Sequence, residues 1–161
     1  MILKGLVAVL IVGLIGIIAV SVSNNSSSED NTIKSSLVAE QPEYDFGTIA
    51  MKDGNVKYTY TVQNTGDEPI TISKLHTSCA CTVASLTVDE KTVGPFGMEG
   101  HGGTVSKIDV YIPAGEKGEV EVVYDPAAHG SAGIGKIERS VFLDSSTRAR
   151  TELTFKAMVT P

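Results

Sequence analysis

From Gln41 onward the chain alternates, one side chain apolar and the next polar, and that period of two confines it to β structure. The clearest run places Val56, Tyr58, Tyr60 and Val62 on one face, with Lys57, Thr59, Thr61 and Gln63 on the other. Successive side chains of a strand point to opposite faces, so this run predicts a strand with one buried and one wet side. Shorter runs repeat the pattern at Ile70 and Ile72, at Ile108, Val110 and Ile112, and at Val120, Val122 and Tyr124. The last is Leu153, Phe155, Ala157 and Val159. Turn-forming clusters punctuate them at Asn64-Thr65-Gly66-Asp67, Pro113-Ala114-Gly115-Glu116 and Asp125-Pro126. No stretch after Glu40 keeps helical spacing over several turns. The expectation is an all-β fold, an antiparallel β-sandwich.

Residues 1–40 are of another kind. Gly5 to Val22 carries no charge and one polar residue, Ser21. The run approaches the ~20 residues needed to span a bilayer and exceeds the ~7–15 of a signal-peptide core. Lys4 precedes it, while Glu29 and Asp30 follow, so the positive-inside bias places the N-terminus in the cytoplasm. Residues 1–22 are therefore expected to be a transmembrane helix acting as a single-pass signal anchor. The competing outcome is cleavage and secretion, because Ser21 and Ser23 are small enough for a peptidase. Residues 23–40 are rich in Ser and Asn and read as a flexible linker. The sandwich is expected over residues 41–161, outside the cytoplasm.

Composition removes several functions. A net charge of −6 with scattered Lys and Arg excludes nucleic acid as a partner, since phosphate binding needs a basic face. There is no G-x-S-x-G elbow, no phosphate-binding Gly-Lys loop and no H-E-x-x-H. No enzymatic activity is expected.

Cys79 and Cys81 are the only cysteines, separated by Ala80. Exported proteins use cysteines mostly to staple distant segments. On a strand, residues i and i+2 lie ~6.6 Å apart with parallel Cβ vectors, whereas a disulfide needs Cβ atoms ~3.8 Å apart. The pair is thus strained when oxidised, free, or occupied by a ligand such as a metal. A thiol redox role is disfavoured, because reactive cysteines sit at helix N-termini and this region reads as strand.

Several short motifs follow one another in a fixed order. Phe46-Gly47-Thr48-Ile49 comes first, then Asn64-Thr65-Gly66, Pro69-Ile70-Thr71-Ile72, Ser78-Cys79-Ala80-Cys81-Thr82 and Pro113-Ala114-Gly115-Glu116. This order resembles the bacterial exported family called domain of unknown function 1573, which is related to Ig-like domains of the Hydin and major sperm protein type. The resemblance covers Glu43 to Val159. It implies an Ig-like sandwich and no established activity. Two departures stand out: Ala80 replaces the family's Gly, and an insertion runs from about 89 to 106.

That insertion contains Gly94-Pro95-Phe96-Gly97-Met98-Glu99-Gly100-His101-Gly102-Gly103. Met98 and His101 lie in it, His129 follows in the loop after Asp125-Pro126, and His76 stands three residues before Cys79. Cys and Met sulfur joined by imidazole is a soft donor set suited to copper, or with thiolates to zinc. Cys79, Cys81, Met98, His101 and His129 are therefore candidate metal ligands. Against this, the favoured reading of the loop is solvated decoration with incidental His and Met. The preferred expectation is a membrane-anchored extracytoplasmic Ig-like binding or structural module. Its partner is an envelope or extracellular protein, met through sheet edges or the inserted loop. The alternative is a soft-metal binding protein.

Overall fold

The computed structural model describes residues 37–100 and 107–161. The expected anchor at 1–22, the linker up to residue 36 and residues 101–106 of the inserted loop lie outside the described residues. Among the described residues, no helix is long and apolar enough to cross a membrane.

The strands are β1 (Leu37–Ala39), β2 (Glu43–Ala50), β3 (Val56–Asn64), β4 (Ile70–Thr77), β5 (Thr82–Val88), β6 (Lys91–Phe96), β7 (Lys107–Ile112), β8 (Lys117–Tyr124), β9 (Gly135–Ser145) and β10 (Arg150–Thr160). Short 3-10 turns occupy Met51–Asp53 and Gly130–Gly133. The strands form two five-stranded sheets, ordered β1-β3-β8-β5-β6 and β2-β10-β9-β4-β7. Between them lies one core, to which Tyr60, Val62, Ile72, Leu86, Ile112, Val120, Val122, Tyr124, Val141, Leu143, Leu153 and Phe155 contribute fully buried side chains. Each such burial contributes about 2 kcal/mol before ordering costs. Nine of these twelve are residues that the alternation assigned inward, the exceptions being Leu86, Val141 and Leu143, and the sandwich expectation holds.

Three details differ from the expectation. The pairing is not wholly antiparallel, because β10 runs parallel to β2. The second and last strands meet here with most of the domain between them, so no tight turn forces them to oppose. The sandwich also begins before residue 41. Leu37–Ala39, assigned to the linker on composition, pair with β3, and Leu37 is buried. Finally, the insertion from 89 to 106 is partly ordered β structure rather than loop alone. Asp89 and Glu90 both take positive φ (47° and 63°) and close a two-residue hairpin between Val88 and Lys91. β6 then extends the first sheet, and Gly97 and Met98 pass on to Thr77 of the second.

The sequence motifs have local causes. The side-chain amide of the buried Asn64 donates to the carbonyls of Glu68 and Ile112, both at 2.9 Å, and its Oδ1 accepts from the Gly66 amide at 3.0 Å. One side chain thereby ties the end of β3 to the end of β7. Gly115, at φ 78°, closes the Pro113–Glu116 turn and donates its amide to the Asn64 carbonyl at 2.8 Å. A glycine suits that position because φ above zero costs it little.

Candidate functional site

The two cysteines do not lie on a strand. Ser78 to Cys81 form the turn between β4 and β5, where the Thr82 amide donates to the Cys79 carbonyl at 3.1 Å. The Thr77 hydroxyl, near the carbonyls of both Cys79 (2.9 Å) and Thr82 (3.0 Å), braces the same turn. The turn brings the cysteine Cα atoms to 5.3 Å, and their sulfurs are bonded to each other. That corrects the strand reading: chain reversal supplies the close approach that an extended segment denies, inside the usual ~4.4–6.8 Å window. Neither cysteine is free.

Two neighbouring segments hold the turn in place. The Ser78 amide donates to the Ser140 carbonyl, and the Ser140 amide donates to Ser78 Oγ, both at 2.9 Å. The Asp125 amide donates to the Cys81 carbonyl, also at 2.9 Å, where β8 ends. Asp125 then forms the Asx turn expected of it, its Oδ1 accepting from the Ala127 amide at 2.8 Å. That turn delivers His129, whose Nε2 lies 3.2 Å from Cys79 Sγ. Cys81 is buried, Cys79 half-buried and His129 exposed. One ligand-type atom from each of the three falls within 4.8 Å of the others.

Of the expected ligands, the structure therefore brings together Cys79, Cys81 and His129. Met98 reaches the same end through its backbone, bridged in parallel to Thr77. His101 lies outside the described residues. Met51 was not singled out by spacing. Its Cε and the Cβ of His129 each come within 3.5 Å of the position that a Cβ on Gly133 would occupy, so Met51 lies beside the His129 loop. Nothing in its local sequence signals that neighbourhood.

His76 belongs to a different cluster, on the outer face of β4, β9 and β10. Its Nε2 lies 3.4 Å from the Asp144 carboxylate without hydrogen-bond geometry. Arg150 binds the same carboxylate through two nitrogens, at 2.6 and 3.1 Å, and lies over the Phe142 ring. The Arg150 hydrogen bonds hold the Asp144 carboxyl below its usual range against the opposing effect of desolvation. Lys74 pairs with Glu99 and ties the inserted segment to β4.

Comparison with solved structures finds a similar fold in parts of other proteins. It is similar to a protein of unknown function from Porphyromonas gingivalis W83, at 13% identity over 76% of this chain and 46% of that one, with a TM-score of 0.55. It is also similar to part of the secreted serine protease VesC from Vibrio cholerae, at 14% identity over 79% and 24% of the two chains, with a TM-score of 0.50. A family 123 glycoside hydrolase from Clostridium perfringens gives 8% identity over 74% and 23%, with a TM-score of 0.50. At these identities the likeness is one of fold alone, and this chain spans less than half the length of each. No curated protein matches it. Residues 37–99, which include the Cys79–Cys81 turn, match the family described as "Protein of unknown function (DUF1573)", and the chain resembles that family.

Proposed function

We propose that the chain is an extracytoplasmic binding or structural module, held at a membrane by residues 1–22. It engages an envelope or extracellular protein through the free edge of β7. Its work is noncovalent, and no catalytic step is assigned to it. The observation that carries the binding surface is that β7, among the described residues, pairs only with β4, while Tyr111 upon it is 65% exposed. An edge strand offers unpaired N–H and C=O groups, and natural edges are blunted by shortness, proline or breaks. β1 is three residues long, β6 carries Pro95, and β2 is interrupted at Gly47. β7 is twice the length of β1 and has no proline, and beyond the register shift near Lys107 its Val110–Ile112 end stays in regular register with β4. An extended segment of a partner adds there as a further strand, with Tyr111 as its aromatic anchor. The apolar run of Gly5 to Val22 supports the tether, and the acidic balance supports a protein partner over nucleic acid.

The test is photo-crosslinking of the full chain in its native membrane, with the reactive group at position 111 or, as a control, at position 57 on the other sheet. The reading expects an adduct specific to position 111, competed by excess wild-type chain but not by an Asp109→Pro chain. Equal adducts from both positions, or none from 111, overturn it. A reporter fused after Pro161 that is active only in the cytoplasm removes the proposed location.

A further inference from the structure

We propose that Cys79, Cys81 and His129 form a redox-gated site for a soft metal cation of the Cu(I) class, closed while the sulfurs are bonded to each other and open once they are thiols. This site is separate from the β7 edge, and neither proposal depends on the other.

The disulfide is a weak staple. It joins residues two apart in sequence, and chain-entropy arguments give a loop this small about 1.6 kcal/mol. The turn is in any case closed without it, through the Thr82 amide, the Thr77 hydroxyl, the Ser78–Ser140 pair and the Asp125 amide. Reduction therefore leaves both cysteines in the same turn, their sulfurs free to part, beside an imidazole delivered from a separate loop. In the Cys79–Cys81 bond the sulfur lone pairs are poor donors; as thiolates they are the softest ligands a protein has.

Geometry and access fit a bound ion. A metal held ~2.3 Å from sulfur and ~2.0 Å from nitrogen, at the ~120° angle of a three-coordinate sphere, sets those two atoms ~3.7 Å apart. The observed 3.2 Å between Cys79 Sγ and His129 Nε2 has to widen by about half an ångström. The sulfurs part once their bond is broken. Burial rises from exposed His129 through half-buried Cys79 to buried Cys81, so the cation enters from the imidazole side. Two thiolates and one imidazole fill a three-coordinate Cu(I) sphere, whereas structural zinc requires a fourth ligand.

The chemistry balances with a thiol reductant. Two thiols supply two electrons and two protons; the Cys79–Cys81 bond breaks, each sulfur gains a proton, and the reductant leaves as its disulfide. The cation then binds both sulfurs as thiolates and the unprotonated Nε2, releasing the two protons to solvent.

The experiment titrates the full chain in detergent with Cu(I) against a competing chelator, in the oxidised state and after reduction and removal of the reductant. Thermal melting checks that each form is folded. Reduced wild type is expected to hold one Cu(I) with sub-micromolar affinity, and the oxidised chain none. His129→Gln should weaken binding by about tenfold or more, and Cys79→Ser/Cys81→Ser should abolish it. Equal binding by the oxidised and reduced chains overturns the proposal, as does retention of Cu(I) by the double serine variant or failure of reduced wild type to compete with the chelator. Should a variant fail to fold, the wild-type comparison between redox states still decides.

Discussion

His129 Nε2 lies 3.2 Å from Cys79 Sγ although the two residues are 50 apart in sequence. Neither residue sits on a strand. Each comes from a loop whose backbone is tied to the other, by the Asp125 amide on the Cys81 carbonyl. The contact is thus a product of the sandwich, which brings the β4–β5 and β8–β9 connections to the same end. Loops carried on a rigid scaffold are where such convergence has chemical consequences.

Asn64 should be among the most sensitive polar positions. Replacement by Ala removes three hydrogen bonds and leaves the buried Ile112 carbonyl without its side-chain donor, at a cost of about 3 kcal/mol. Asn64→Asp should cost at least as much at neutral pH, since a carboxylate would then face two carbonyls. Urea denaturation measures both; a loss below about 1 kcal/mol for Ala would contradict the assigned role.

Asp144 makes stability depend on acid. Its carboxyl is held below the ordinary range by Arg150, with His76 adding to the effect. Protons therefore favour the unfolded chain: the contribution is complete above the ordinary Asp value of ~3.9 and disappears as pH falls through the depressed folded value. After screening of the half-exposed Arg150, Asp144→Asn is expected to cost up to about 1 kcal/mol at neutral pH, and little near pH ~2. Urea midpoints at the two pH values test this, and an equal loss at both would remove the electrostatic explanation.

Tyr60 acts at the alkaline end. Its hydroxyl donates to the Thr154 carbonyl at 2.8 Å across the two sheets. Burial pushes its phenol up, with repulsion from Tyr58 and Tyr44 adding to the shift. A raised value means that the stability tied to the neutral phenol is full below ~10 and is lost as pH climbs toward the folded value. Tyr60→Phe should cost about 1 kcal/mol at neutral pH and reduce the loss of stability in alkali. Ionisation of Tyr60 in the folded chain with an ordinary phenol titration would refute the buried bond.

How much of this was legible depends on which physical rule governs each part. Period-two alternation located β3, β8 and β10 because their inward residues are large and aliphatic or aromatic. β9 escaped because Lys136, Glu138, Arg139 and Ser140 dilute the pattern around Ile137, Val141 and Leu143. β1 escaped because three residues carry too little pattern, and β6 because its glycine and proline read as loop. At the site, residue chemistry alone singled out Cys79, Cys81 and His129. The turn that pairs the cysteines did not announce itself, since Ser-Cys-Ala-Cys contains no strong turn former. The His76–Asp144–Arg150 cluster depends on strand register, which one sequence does not reveal.

In the proposed redox-gated site, the Cys79–Cys81 bond serves chemistry rather than the integrity of the fold. Equilibrium unfolding of the full chain, oxidised and fully reduced, separates the two roles. The reduced chain should keep one cooperative transition and lose no more than about 2 kcal/mol. Loss of cooperativity on reduction, or a destabilisation of about 4 kcal/mol or more as expected of a long-range staple, would contradict it.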